Sequence, residues 1–220
     1  SVKYVLVSEN GKKYPPKYVM AVADHLANGT DISTEAFTSA DAKNYLESQG
    51  FTIETKPQEK FELSITAESV ESTDERFTME DLNLGDNYKP LNAYFEKANG
   101  DIIKRAYNKG EKRNSNQTMP RIACQIFEKQ LAALSVEDKE SFPVCKYSPN
   151  SDMIRGIYTS VDEYKKHRNS LEYLTYSYDN GRQFVIYSWN IFSTIIFVQE
   201  CLKRFGEPGD QFVLIYREKD

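Results

Sequence analysis

Tyr176-Ser177-Tyr178-Asp179-Asn180-Gly181-Arg182-Gln183-Phe184-Val185-Ile186-Tyr187 sets two tyrosine- and β-branched-rich runs on either side of an Asn-Gly pair. Asparagine and glycine tolerate the positive φ of a tight hairpin turn. Leu171 to Tyr178 and Gln183 to Trp189 are therefore predicted to pair as a β-hairpin. The chain continues from Asn190 to Arg204 through Ile191, Phe192, Ile195, Ile196, Phe197 and Val198, apolar nearly all round its first half. A helix without a polar face is a buried helix, so this segment is the expected core element. Gly206, Pro208 and Gly209 end it, and Phe212 to Tyr216 reads as a last strand. Hairpin, buried helix and strand in one run predict an α+β fold.

Working back from the hairpin, Met153 to Thr159 is strand-like. Ser160-Val161-Asp162-Glu163 then has the spacing of a capping box opening a helix through about Arg168. Thr118 or Asn116 can cap a helix entered at Pro120, with Ile122, Ala123, Ile126, Phe127, Leu131 and Leu134 as its buried face. Ser135-Val136-Glu137-Asp138 predicts a further short capped turn. Asn87 to Ala98 is read as helical, with Leu91, Tyr94 and Phe95 on one side.

The amino-terminal quarter is organised by Asn10-Gly11-Lys12-Lys13-Tyr14-Pro15-Pro16-Lys17. Asn-Gly turns the chain after the apolar run Tyr4 to Val7, and a helix can start on the second proline because the first helical N–H has no partner anyway. Val19, Met20, Val22, Ala23 and Leu26 form its stripe up to Asn28-Gly29. Ser39 is read as the cap of a second helix, followed by Gly50 and a returning strand at Phe51-Thr52-Ile53. The expected organisation is a strand–helix–helix–strand module over 1–56, an acidic linker over 57–81 and a larger α+β module over 82–220. The linker reading rests on eight acidic residues from Lys56 to Asp81 against Lys56, Lys60 and Arg76; within it Phe61-Glu62-Leu63-Ser64-Ile65 alternates as a short strand could, and Glu68 to Glu75 reads as exposed linker.

Bulk composition excludes several function classes. A content of 40% hydrophobic and 13% aromatic residues belongs to folded rather than disordered protein. The net charge of -5 offers no global basic field, so a polyanionic partner would need a local patch. Cys124, Cys145 and Cys201 are an odd, widely spaced set, expected to be buried thiols of a reducing compartment. No secretory leader is read at the start. The apolar stretch Phe184 to Val198 is interrupted by Ser188, Asn190, Ser193 and Thr194 and is shorter than the ~20 residues of a span. The expectation is a soluble, cytoplasmic protein without membrane contact.

No phosphate loop, dinucleotide fingerprint or Gly-x-Ser-x-Gly occurs, and neither His25 nor His167 has a metal-ligand spacing partner. No cofactor and no metal are expected. Asp152 followed by Glu163-Tyr164-Lys165 has the order of a metal-dependent nuclease, but Glu163 falls in the first turn of a helix, which favours a cap over a ligand. The stronger signal is Lys104 to Arg121, where Lys104, Arg105, Lys109, Lys112 and Arg113 surround Tyr107 and several asparagines. Cations neutralise phosphates, asparagine reads base edges or sugars, and tyrosine stacks on bases.

The segment Gly11-Lys12-Lys13-Tyr14-Pro15-Pro16-Lys17, its apolar helix, and Ala42 through Gly50-Phe51-Thr52-Ile53 together resemble a known module. It is similar to the N-terminal head domain of McrA-like, HNH-containing type IV restriction endonucleases, which attack modified DNA. The resemblance covers about residues 1–56. It implies a prokaryotic defence setting and contact with double-stranded, modified DNA, and it assigns no catalytic residue. No HNH signature is present, so either a nuclease domain or subunit is expected elsewhere or the head-like module serves another purpose in this protein.

The functional expectation is a DNA-binding, modified-base-sensing module of a restriction or anti-phage system without its own nuclease centre. Phosphate contacts are expected from Lys12, Lys13, Lys17, Lys104, Arg105, Lys109, Lys112, Arg113 and Arg121. Tyr14, Tyr107 or Trp189 are the candidates for base stacking, although Trp189 is better placed to close the hairpin against the buried helix. The alternative is a protein–protein adaptor of a defence system, and the third reading is the nuclease of Asp152, Glu163 and Lys165.

Overall fold

The computed structural model describes residues 3–79, 87–107 and 117–219. They form two units, divided between Glu59 and Lys60, and helices and antiparallel sheets together make the fold α+β.

In the first unit, β1 (Tyr4–Val7) lies between β2 (Lys13–Tyr14) and β3 (Thr52–Thr55), both antiparallel to it. The connecting turn is held locally. Asn10 Oδ1 accepts from the Ser8 hydroxyl at 2.6 Å and from the Lys12 N–H at 3.2 Å, while Gly11 takes φ +77°. Helix α1 (Pro16–Asn28) starts directly behind Pro15 and closes on Gly29 at φ +67°, whose N–H donates to the His25 carbonyl. Helix α2 (Ser39–Ser48) is capped by Thr38 rather than by the expected Ser39. Thr38 Oγ1 accepts the Asp41 N–H at 3.1 Å, and Asp41 returns the bond by accepting the Thr38 N–H at 2.9 Å. Only Thr38 has a carboxylate three places on, and the reciprocal pair decides the cap. Val5, Leu6, Pro16, Ala42 and Leu46 are the buried apolar residues of this unit, a small core.

The second unit is built on a five-stranded antiparallel sheet ordered β5-β4-β12-β6-β7. Its strands are β4 (Phe61–Ile65), β5 (Val70–Ser72), β6 (Tyr88–Glu96), β7 (Ile102–Ile103) and β12 (Gln211–Glu218). Phe61, Leu63 and Ile65 on β4, Tyr88, Ala93 and Phe95 on β6, and Phe212, Leu214 and Tyr216 on β12 form one buried face. Helices α3 (Thr118–Ile126) and α7 (Ile195–Phe205) cover it, and α7 enters through a 3-10 turn at Phe192–Thr194. The apolar run read as the core helix is thus the buried α7, whose Ile195, Phe197, Val198, Cys201 and Leu202 lie in the core, with the Phe197 ring 5.6 Å from that of Phe142. Between the helices run α4 (Glu128–Ala133), α5 (Val136–Ser141), β8 (Pro143–Cys145), β9 (Ile154–Arg155) and α6 (Val161–His167). The hairpin is β10 (Tyr173–Tyr178) against β11 (Arg182–Tyr187), with Asp179, Asn180 and Gly181 all at positive φ.

Two local expectations give way to the sheet. The stretch 57–81, expected as an acidic linker, contains β4 and β5, and its Asp74 is only 3% exposed. Asp74 accepts from Arg76 Nε at 3.0 Å, and Arg76 also pairs with Glu218 at 2.9 Å, so part of this acidic charge is structural. The helix expected over Asn87–Ala98 is the strand β6. A bulge explains the misreading: Ile215 pairs with Asn92 and Tyr216 with Pro90, leaving Leu91 as the extra, exposed residue. The buried positions therefore run 88, 90, then 93, 95, and the parity shift turns a period of 2 into apparent helical spacing. Pro90 sits beside the bulge, where a missing ladder donor is tolerated.

Candidate anion-binding groove

Helix α3 buries Met119, Ile122, Ala123 and Cys124 toward β6 and α7, which leaves Arg121 and Gln125, one turn apart, on its other side. That side meets the free edge of the hairpin. Val185 exchanges both backbone hydrogen bonds with Tyr158, at 2.9 and 2.8 Å, so the facing pair Thr175–Val185 is a non-hydrogen-bonded one. By strand alternation the backbone N–H and C=O of Thr175 and Ser177 point away from β11. Arg121 reaches this edge: Nη1 donates to the Thr175 carbonyl at 2.6 Å, and Nη2 donates to Gln117 Oε1 at 3.1 Å.

Gln125 fixes the third wall. Its Oε1 accepts the Ala106 N–H at 2.8 Å and its Nε2 donates to the Lys104 carbonyl at 3.4 Å, holding 104–106 beside α3. Arg105, only 8% exposed, lies with its guanidinium 4.3 Å from the Tyr107 ring centre. Arg105, Ala106, Arg121, Gln125, Thr175, Tyr176 and Ser177 enclose a groove of about 320 Å³. The Tyr176 hydroxyl at its wall donates to Glu128 at 3.0 Å. Burial, and then this carboxylate, push the Tyr176 phenol above its ordinary range, so it stays a neutral donor. Tyr107 also borders a second groove of about 210 Å³ with Asn92, Thr118 and Ile191.

The remaining expected contact residues are distributed as follows. In the first unit Lys12 and Tyr14 are exposed, whereas Lys13 pairs with Glu54 at 2.5 Å. Lys17 donates to the Thr34 carbonyl at 2.7 Å and lies over the Phe37 ring. In the second unit Lys104 is exposed at the groove margin. Lys109, Lys112 and Arg113 lie outside the described residues. Trp189, expected to close the hairpin, is 41% exposed. Between the end of β11 and the 3-10 turn, alternation sends Ser188 and Asn190 inward, where Asn190 Oδ1 accepts the Ser193 N–H at 2.9 Å, and sends the indole out. Gln125, Thr175 and Ser177 were not foreseen. Gln125 is legible as the i+4 neighbour of Arg121, but the edge donors require the hairpin's third neighbour, Tyr158.

Glu163, the central residue of the nuclease order, accepts from the Thr159 N–H and hydroxyl at 2.8 and 2.7 Å, and these bonds hold its carboxyl below the usual range. Among the described residues no group of three His, Cys, Asp or Glu side chains could hold a metal ion. Among them, too, no helix is long and apolar enough to cross a membrane. The three cysteines are buried and unpaired with one another. Burial pushes the Cys124 and Cys145 thiols up to about 12 and Cys201 well above its ordinary value. At pH 8 a thiol of pKa near 12 is about one part in 10,000 thiolate, the reactive form. All three are expected to resist a thiol-specific reagent in the native protein and to react together in denaturant; rapid native labelling of any one would contradict its burial.

No family model matches the chain, and no curated protein or solved structure matches it.

Proposed function

We propose that this chain is a DNA-binding module that senses a modified base and works beside a nuclease supplied by another domain or subunit. The observation that carries the reading is the meeting of Arg105 and Arg121 in one groove of about 320 Å³, with Tyr107 stacked on Arg105 at its side. Two guanidinium groups supply phosphate contacts, and an exposed tyrosine supplies a face for an unstacked base. The Tyr14-Pro15-Pro16-Lys17 turn, with Lys12 and Tyr14 exposed, adds the resemblance to the head domain of modification-dependent endonucleases. Defence and modified DNA enter the proposal through that resemblance.

The test is a polarisation titration against three duplexes of one sequence: unmodified, 5-methylcytosine-containing and phosphorothioate-containing. Binding is expected to weaken with salt at a slope of roughly −0.9 per phosphate neutralised, and the modified duplexes are expected to differ from the plain one. Absence of binding to all three at low salt overturns the DNA reading; equal binding removes base sensing.

One observation favours a second reading, a protein–protein adaptor. Tyr18, Val22 and Leu26 follow one another at four-residue steps along α1 and are 60%, 38% and 80% exposed. An exposed apolar stripe on a helix is the form of a helix-mediated contact. Light scattering after size exclusion checks its homo-oligomeric version.

A further inference from the structure

Resting on the nucleic-acid reading, we infer that the first unit carries a site for one unpaired nucleobase with an exocyclic amino group, in a groove of about 650 Å³ at the end of the β1–β3 ladder. Val7 and Thr52 are the last residues paired there. Beyond them Glu9 and Asn10 leave on one side, and Gln49, Gly50 and Phe51 arrive on the other. The groove therefore opens between the Asn10-Gly11 turn and the end of α2, with the buried Leu6 in its floor. Its volume lies within the ~300–1,000 Å³ range of ligand sites.

Four side chains at this groove have chemistry that the fold leaves unused. Gly50, at φ +86°, closes α2: its N–H donates to the Glu47 carbonyl at 3.0 Å, and the Phe51 N–H donates to the Leu46 carbonyl at 3.0 Å. This closure pins the Phe51 backbone, yet Phe51 is 49% exposed, and among the described residues its ring meets no other ring and no cation. At the opposite wall the Lys12 N–H donates to Asn10 Oδ1 at 3.2 Å, which identifies that atom as the oxygen and leaves Nδ2 as an open donor. Gln49 Nε2 donates to Ser48 Oγ at 3.3 Å and leaves Oε1 as an open acceptor. The Glu9 carboxylate has no hydrogen-bond or ion-pair partner among the described residues.

An apolar ring face, two acceptors and one donor select the occupant. The carboxylate repels a phosphate, so the groove takes the base and not the backbone. An exocyclic amino group donates to Glu9 or Gln49, and the acceptor atom beside it in the ring takes the Asn10 Nδ2 proton. Cytosine, adenine and guanine carry such an amino group, whereas thymine and uracil turn a carbonyl oxygen toward the carboxylate. Stacking on Phe51 needs the face of the base and the polar groups need its edge. Within a duplex the faces are covered and the edge is paired, so the occupant is an unpaired base. Lys12, exposed two positions beyond Asn10, is the nearest cation along the chain for the adjoining phosphate.

The test is polarisation of short labelled single strands of deoxycytidine and of deoxyuridine, whose bases match in size, with the whole chain at low salt. The deoxycytidine strand is expected to bind on the order of tenfold tighter. Phe51→Ala should weaken it by at least about fivefold, and Phe51→Trp, which keeps a stacking face, should not. Glu9→Gln replaces a pure acceptor by an amide that also donates, so the two strands should then bind within about twofold of each other. Melting temperatures of the variants provide the folding control.

Equal binding of the two strands by the wild-type protein overturns the amino-group assignment. If strands or duplexes bind and neither Phe51→Ala nor Glu9→Gln changes affinity or preference, the groove is wrong and the DNA reading survives. Binding of duplexes but of neither strand has the same meaning. If no DNA binds, the DNA reading fails, and amide NMR shifts on titrating the wild-type protein with cytidine and uridine decide the groove separately. Saturable shifts at the Asn10, Gly50 and Phe51 amides with cytidine, weaker with uridine, support a base site; shifts absent at all three overturn it. The amide readout needs no variant, so a substitution that fails to fold leaves the test intact.

Discussion

Phe212→Ala is expected to destabilise the second unit by about 3–5 kcal/mol, the usual range for truncating a buried phenylalanine. Phe212 is fully buried on β12, the middle strand of the five-stranded sheet, with its ring 4.9 Å from that of Phe95 and 6.5 Å from that of Phe127. Strand β12 pairs with β4 on one side and β6 on the other, so the cavity opens where both pairings meet. Surrounding backbone in a ladder on both sides cannot collapse into the hole, and the cost stays near the upper part of that range. The comparison is Leu91→Ala at the bulge of the neighbouring strand, 40% exposed and expected to shift stability by no more than about 0.5 kcal/mol. Urea midpoints of the two variants decide the matter. Equal midpoints would falsify the register that buries Phe212 and turns Leu91 out.

Gly156→Ala should be nearly as damaging, for two separable reasons. Gly156 has φ +119°, a conformation that L side chains rarely adopt, and holding alanine there costs about 1–3 kcal/mol. A Cβ at this position would also stand 2.6 Å from the end of the Tyr158 ring. That ring has no easy retreat: Tyr158 is 7% exposed, edge-on to Tyr164 at 5.6 Å and stacked on His167 at 5.1 Å. Overpacking adds about 1–3 kcal/mol. The two parts come apart in a double-mutant cycle with Tyr158→Ala, which makes room for the Cβ but leaves the backbone strain. A coupling of about 0.5–3 kcal/mol is expected. Strict additivity would mean that the ring never opposed the side chain. The variant also bears on the groove, because Tyr158 and Val185 exchange the bonds that turn the donors of Thr175 and Ser177 outward.

The features legible in the chain were those whose cause is local. Asn180-Gly181 announced a hairpin because few residues accept positive φ, and both residues there have it. Ser160 with Glu163 announced a helix start, and Ser160 Oγ does accept the Glu163 N–H at 3.1 Å, although the Glu163 carboxylate turns to Thr159 instead of Ser160. The buried helix α7 was visible because nearly every position in its first half is apolar. Local reading failed where one residue shifts the phase. Leu91 in the bulge made the strand β6 look like a helix, and the stretch Glu68 to Glu75, read as exposed linker, carries β5 and the buried Asp74, which pairs with Arg76.

The candidate groove lies on the other side of that division. The sequence by itself determined that Arg105 and Arg121 are cations near Tyr107, since that follows from residue type and spacing. It determined the hairpin that carries Thr175 and Ser177 for the same reason. Only the tertiary structure decided that Arg121 and Thr175, 54 positions apart, touch, and that the free edge of β10 faces α3. It also decided that β12, the last strand in the chain, lies between β4 and β6. Turns and caps arise from backbone sterics within a few residues. Strand order and edge exposure arise from burying the apolar faces of distant segments against one another, which no window along the chain contains.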